Sequence, residues 1–427
     1  MRQIPIKPCT IAMLALVAMG AETKITHAQS QKEPERVLTL HQALECALTN
    51  SPELAASSYA VLAAEDDEQQ AGVLPNPELE LEASEFGSSG TRKGYDVAET
   101  SLRLRQAVEL GGKRRLRQRV ARSEATLAGW EYEAKRLDVL LVTKKAFVDV
   151  LLAQGQLALA ESQLVLAADV CSAVTERVKA GKAPPLEQTK AGVEQATARI
   201  ARDRAVRELE FTRKRLASSW GGVTPQFKEA SGDLDAVREV PPVEALAALL
   251  NNVPEVARRD EERTWGEESL AAAKAERFPT ISVSAGISRF EEDGTYAGTV
   301  GLSMPLPVFD RNAGGILAAK HRVARAEYEQ RATRLRVITE LMEAHGRLES
   351  ARAEAATSKA EVLPGAQQAF DVAQAGYRAG KLGYWEVLDT QRTLNETKAR
   401  YLDVLASYHK TVADVERLTG TPLNSIQ

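Results

Sequence analysis

Apolar and small residues step through Leu116, Val120, Ser123, Leu127, Trp130, Ala134, Leu137 and Leu141 in alternating jumps of four and three. That is the 3.5-residue spacing of a coiled-coil seam. It lies in the first of two runs, 113–179 and 312–378, that hold almost no helix breakers. At ~1.5 Å per residue each run predicts a helix of about 100 Å, far longer than a globular core requires. Pro364-Gly365 interrupts the second run and predicts a kink without an end. Turns are expected at Gly181 and Gly380. A further helix of roughly 35 residues, about 50 Å, then comes back to Trp220 or to Leu418.

Ahead of each run stands a segment of period two. Leu79, Leu81 and Ala83 interleave with Glu78, Glu80 and Glu82, and Ile281, Val283, Ala285 and Ile287 interleave with Ser282, Ser284, Gly286 and Ser288. One apolar face at that period predicts a half-buried strand. Each has a partner after a glycine-containing turn: 97–104 follows 87–94, and 297–304 follows Asp293-Gly294, so two hairpins are expected, at 77–105 and 279–306. Before the strands, a helix ends at Asn50 or Asn252, and Pro52 or Pro254 restarts the chain at the first position of the next, which runs to about residue 72 or 277.

The two halves are copies. LECALTNSPE at Leu44 and LAALLNNVPE at Leu246 share Asn, Pro and Glu at a shift of 202, and Pro77 and Pro279 recur at the same shift. RVAR at Arg119 returns at Arg322, and AGK at Ala180 returns at Ala379. Anchors in one order make a duplication. The repeats are read as 37–220 and 243–420, with a joint at 221–242 rich in Gly, Pro and Asp and a tail at 421–427. The returning helix and the helix before the strands are expected to stack end to end beside the long one.

Composition fits long helices: 44% hydrophobic and 27% charged residues, with only 5% aromatic. A net charge of −4 gives no field to collect nucleic acid. Arg2 and Lys7 precede an apolar run from Ile11 to Met19, and small residues follow before Gln29, which reads as a secretory leader at 1–28 with a linker at 29–36. Cys9 would leave with it and lacks the context of a lipid-attachment cysteine, so no lipid anchor is expected. Cys46 and Cys171 form no disulfide or metal spacing and are expected to be buried. No later stretch reaches ~20 continuous apolar residues, so a membrane crossing would use strands. Four strands cannot close a barrel, and open edges are not tolerated in hydrocarbon, so several chains would share one. The face bearing Glu78, Glu80, Glu82 and the serines would then line water.

With these residues in hand, the whole mature chain resembles the TolC-like outer-membrane factors of tripartite efflux pumps. QAVELGGKRR at Gln106 and MPLPVFDRNAGG at Met304, each at a junction of strand and long helix, resemble the heavy-metal branch typified by the cobalt-zinc-cadmium pumps. The resemblance implies a mainly α fold with membrane hairpins: duplicated antiparallel coiled-coil helices form a periplasmic tunnel, and four strands per chain join a trimeric twelve-stranded barrel among outer-membrane lipid. It implies docking to a periplasmic adaptor and an inner-membrane resistance-nodulation-division pump, and no cofactor. At the junctions it marks Gly111, Gly112, Pro305, Pro307 and Asp310. At the tunnel tips it marks Gly181, Lys182, Gly380 and Lys381 as adaptor contacts. Glu386 and Asp389, three apart on one helix face, match an acidic ring at the periplasmic mouth, and Tyr377 matches a position that holds the mouth closed. Leu382 departs from a basic residue of the best-known gates, and the first repeat offers Glu187 but Lys190 where the second has Asp389.

Other motifs lead nowhere. ELGGKRR lacks the GxxxxGK spacing of a phosphate loop. His41, His321, His345 and His409 are scattered and predict no metal site. Lys113, Arg114, Arg115, Arg117 and Arg119 read as a charged face at the junction of barrel and helix. No nucleophile, base and orienting-group trio points to an enzyme. Three readings remain: a metal or drug efflux duct, a protein-secretion duct, and a soluble periplasmic coiled-coil scaffold.

Overall fold

The computed structural model describes residues 36–87 and 95–423. The expected leader with Cys9, the linker through residue 35, the tip of the first strand hairpin at 88–94 and the last four residues lie outside the described residues.

Each half opens with a short helix. Strand β1 (Val37–Thr39) leads into α1 (Leu40–Asn50), whose start is a capping box: Thr39 Oγ1 accepts from the Gln42 N–H, and Gln42 Oε1 accepts from the Thr39 N–H. Pro52 then opens α2 (Pro52–Ala71) at a position where a missing N–H costs nothing. Strands β2 (Glu78–Ser84) and β3 (Glu99–Glu109) follow, then α3 (Lys113–Lys179) and α4 (Pro185–Ser218). After β4 (Glu229–Ser231) the plan repeats as α5 (Val243–Leu249), which ends in a 3-10 turn over Leu250–Asn252, then α6 (Pro254–Ala275), β5 (Thr280–Phe290) and β6 (Tyr296–Ser303). The second long run is α7 (Ala313–Thr357), a π turn (Ser358–Val362) and α8 (Leu363–Arg378), and α9 (Tyr384–Thr419) returns.

Along α3 lie α2 above and α4 below; α6 and α9 lie likewise along the α7–α8 run, and α3 packs on both α6 and α9. The helices thus form a wall with the order α2–α3–α6–α7 near the sheet and α4–α3–α9–α8 below it, which closes at the tips, where α4 also meets α8 and α9. Every residue of the predicted seam from Leu116 to Leu141 is buried or half-buried. One stretch of α3 is apolar enough by length and composition to cross a membrane, although no run of ~20 unbroken apolar residues occurs in it. Here it belongs to a helix flanked along its length by α1, α2, α4, α6 and α9.

The four strands form one antiparallel sheet in the order β2-β3-β5-β6. Its first hairpin differs from expectation: Val97 sits in the turn, and β3 runs on to Glu109, because the eleven-residue β5 supplies partners to the end, with Val108 opposite Ile281 and Glu109 opposite Thr280. The period-two reading of the faces holds. Glu80 and Glu82 pair with Arg105 and Arg103 at 3.0 and 3.3 Å on one face, while Leu79, Leu81, Val300 and Leu302 stand exposed on the other.

The joint is more ordered than its composition suggests. Strand β4 pairs in parallel with β1 across 190 residues of chain, and Gln154 of α3 brackets it by donating to the Ala230 carbonyl and accepting from the Ala230 N–H. Leu38, Phe227, Leu216 and Trp220 close a core beneath. Two of the scattered histidines hold the rest of the joint: His345 Nε2 bonds the Pro241 carbonyl and His409 Nε2 the Leu234 carbonyl, both at 2.9 Å. Asp235 is held by Tyr401 and Lys359. Cys46 is buried in this core as expected, whereas Cys171 is only half-buried; both are free thiols.

Candidate functional site at the helical tips

Both long runs end in the same left-handed turn. Gly181 and Gly380 have φ of +68° and +71°. In each, the glycine N–H bonds the carbonyl three residues back, to Val178 or Tyr377, and the following lysine N–H bonds the carbonyl five back, to Arg177 or Gly376. This is the Schellman termination, which satisfies the last carbonyls of the helix and favours glycine because a Cβ is strained there. Lys182 and Lys381 follow, both exposed at the extreme end of the hairpins.

The returning helices place an acid in their first turns. Glu187 and Glu386 stand three residues past the caps Pro184 and Gly383, where a carboxylate faces the positive end of the helix. Their surroundings differ. The half-buried Glu187 accepts a long hydrogen bond of 3.4 Å from Tyr377 Oη, and the Tyr377 carbonyl accepts one of 3.0 Å from Arg177 Nη1. The Arg177 guanidinium also lies 4.3 Å from the centre of the Tyr377 ring. Lys190 Nζ sits 3.8 Å over the Trp385 ring, and Arg392 pairs with Glu194. Beneath, Tyr377 and Tyr384 pack at 6.1 Å in a core with Val174, Ala191, Phe370 and Leu388 drawn from all four helices.

Burial governs the phenols. It raises the Tyr377 pKa above the usual tyrosine value, with Arg177 opposing and Glu187 reinforcing the shift. It pushes Tyr384 up to about 12, with the Glu194 carboxylate adding to it. At neutral pH Tyr377 is therefore a neutral donor.

Glu386 and Asp389 are exposed on the first turns of α9, on the face away from the core. Among the described residues neither joins an ion pair, and Tyr377 is bonded to Glu187 and not to them. Glu386 folds back toward its own cap, where a Cβ on Gly383 would come within 2.9 Å of its Oε2. The expected trio is thus two separate features: a tie between hairpins and a free acidic pair. Arg177, Arg392 and Glu194 escaped the sequence reading. Arg177 and Tyr377, and likewise Glu194 and Arg392, are about 200 positions apart, and no local pattern joins them.

The junction motifs perform structural work at the other end. Gly111 (φ +72°) must lack a side chain because the Phe278 ring lies where a Cβ would be, 2.5 Å away. Gly112 and Asn312 both cap their long helices in the left-handed conformation, and Asn312 Nδ2 also donates to the Ala273 carbonyl at the end of α6. Asp310 Oδ1 accepts from the Asn312 N–H, and the Pro307 carbonyl from Arg311, while the segment around Pro305 runs exposed to Phe309. The basic run is a clamp: Arg117 holds Glu109 with both terminal nitrogens and donates to the carbonyls of Ala71 and Val73, and Lys113 and Arg119 pair with Glu276 and Glu268. Among the described residues no three His, Cys, Asp or Glu side chains converge as a metal cradle.

A duplicated wall of long helices joined to a four-stranded sheet can be compared with known proteins. The profile of the outer membrane efflux protein family matches residues 43–222 and 245–421, once in each half. The chain belongs to the outer membrane efflux protein family. It is similar to the cobalt-zinc-cadmium resistance protein CzcC of Cupriavidus metallidurans, with 35% identity over 91% of each chain. It is also similar to the nickel-cobalt-cadmium resistance protein NccC of Alcaligenes xylosoxydans xylosoxydans, with 26% identity over 75% of this chain and 70% of that one. The fold matches the crystal structure of the outer membrane protein VceC from Vibrio cholerae with a TM-score of 0.75, at 19% identity over 90% of this chain and 96% of that one. This efflux-family chain is therefore an outer-membrane protein, and its tips and its sheet are the two ends of a channel subunit.

Proposed function

We propose that three copies of this chain build an outer-membrane duct that exports heavy-metal cations delivered by a periplasmic adaptor and an inner-membrane resistance-nodulation-division pump. The sheet carries the reading. It has two open edges, β2 and β6, one face of Leu and Val and one of Glu, Ser and Arg. Unpaired strand edges are expensive in hydrocarbon, so β2 of one copy pairs with β6 of the next, and three four-stranded sheets close into twelve. The apolar face then meets lipid and the acidic face water.

At the far end Glu386 and Asp389 contribute a ring of six carboxylates in the trimer, which favours cations as charged rings do in channels. Tyr377, tied to Glu187 and gripped by Arg177, latches the second hairpin to the first. Gly181, Lys182, Gly380 and Lys381 form the surface that an adaptor meets. The metal cargo is supported by the likeness to cobalt-zinc-cadmium and nickel-cobalt-cadmium resistance proteins. Deleting the gene should sensitise its host to zinc, cobalt or cadmium, with growth restored by the intact gene. Unchanged tolerance to all three metals would contradict the cargo.

A further inference from the structure

The polar face of the sheet is divided lengthwise. On β2 it carries Glu78, Glu80 and Glu82, and on β3 it carries Arg103 and Arg105. On β5 and β6 the same face is Ser282, Ser284, Gly286 and Ser288 beside Gly301 and Thr299, and among the described residues that half bears no charge. A wet face therefore needs no charge, and the charged strip has another cause. Stability is a weak one: these side chains are 33% to 73% exposed, and exposed ion pairs contribute little in water.

The arginines sit where they cancel the acids. Arg105 lies 3.0 Å from Glu80 and 3.7 Å from Glu78, and Arg103 lies 3.3 Å from Glu82, so two guanidinium groups meet all three carboxylates of β2. Each arginine reaches one step past its own register partner to do so. Arg103 is also held low. A Cβ on Gly286 would come within 2.7 Å of the Arg103 Cγ and 2.6 Å of the Leu102 carbonyl oxygen, so glycine alone leaves room for the arginine stem, whose Nε is buried against the sheet. At the inner end of the same face Glu109 is held by Arg117, and at the outer end Glu99 stands opposite Ser84. The tips are built differently: among the described residues Glu386 and Asp389 join no ion pair.

We propose that Arg103 and Arg105 determine permeation at the exit: they cancel the carboxylates of β2, so that a divalent cation admitted at the tips is not held in the barrel. The assignment rests on the duct reading above and gives a role in it to residues far from the tips. Conduction requires that a site be weak enough to leave. Without the arginines, three copies would line the barrel with nine bare carboxylates from β2, about 7 Å apart along each strand. Carboxylate oxygens are ligands for divalent cations. The barrel would then become a second filter, and one that retains its cargo.

Planar-bilayer recordings test it. Arg103→Gln with Arg105→Gln removes the charges and keeps polar side chains. The permeability ratio of potassium over chloride should rise several-fold. Cadmium chloride, at a concentration that leaves the wild-type current unchanged, should cut the variant's current several-fold. Combined with Glu386→Ala and Asp389→Ala, the same two changes should restore cation preference from the barrel end. Adding Glu78→Gln, Glu80→Gln and Glu82→Gln should cancel both gains. A variant that conducts with unchanged ion preference and unchanged response to cadmium overturns the shield and leaves the duct standing. No conductance from the wild-type protein overturns both. If the arginine variant does not assemble, the variant that also lacks the three carboxylates decides. Recovered assembly keeps charge cancellation as the role, whereas continued failure makes the pairs a lock on strand register and overturns the shield.

Discussion

The two hairpin tips share a fold and differ in how their helices are joined and packed. In the first repeat α3 runs unbroken for 67 residues, and the turn back is stiffened by Pro184 and Pro185. In the second, the corresponding run is broken by the π turn at Ser358–Val362, just ahead of Pro364-Gly365. The Leu363 N–H reaches the Ser358 carbonyl, five residues back, and Pro364 has no N–H to give. Past that joint lie the buried Tyr377 and Tyr384, and the returning helix carries Glu386 and Asp389 where the first repeat has Glu187 and Lys190. Duplication has made one hairpin a post and the other a jointed arm, and the arm holds the acidic pair.

The difference can be broken most forcefully at its core. Tyr384 is 4% exposed, and its counterpart in the first turn of α4 is the exposed Pro185. Tyr384→Ala should cost about 3–5 kcal/mol locally, as removal of a buried aromatic does. Hydrogen exchange over α8 and the start of α9 should rise accordingly, while Pro185→Ala should leave the first tip nearly unchanged. Equal effects at both tips would erase the contrast.

The turns themselves should respond alike, which sharpens where the asymmetry lies. An added Cβ meets no atom at either Gly181 or Gly380, so alanine is penalised only for its left-handed backbone, about 1–2 kcal/mol at each. Limited proteolysis at the two tips should accelerate to a similar degree.

Smaller effects test the tie between the hairpins. Tyr377→Phe removes one hydrogen bond, about 0.5–1.5 kcal/mol, and should raise the open fraction of reconstituted channels between about two- and tenfold. Alkaline pH should act in the same direction. The folded-state pKa of Tyr377 lies above the ordinary 10.0, so the contribution of its neutral form is complete below that value and is lost as pH rises through the raised one. The phenolate then faces the Glu187 carboxylate. Conductance should therefore rise only above about pH 10, and Tyr377→Phe should abolish that rise.

Much of this plan was legible in the chain because its signals are local. Pro52 and Pro254 restart helices where the sequence put them, the four-three stepping from Leu116 marks a packed seam, and the period-two segments form the sheet. Pairings between distant segments were not legible. Strands β1 and β4 have three residues each and no pattern of their own, and they exist because Leu38 and Ala230 share a core. The end of β3 was missed because Gln106-Ala107-Val108 drops the alternation, and β5 alone keeps it extended. At the tips, Glu386 and Asp389 could be marked by resemblance, whereas Arg177's grip on Tyr377 depends on two turns being brought side by side.

Recordings of the purified protein in planar bilayers, made under a salt gradient, test most directly that this is a cation-carrying duct governed by its second tip. The account predicts a cation-selective conductance whose reversal potential moves toward zero in Glu386→Ala with Asp389→Ala and stays put in Lys190→Ala. No conductance, or a reversal potential indifferent to the loss of both carboxylates, would contradict it.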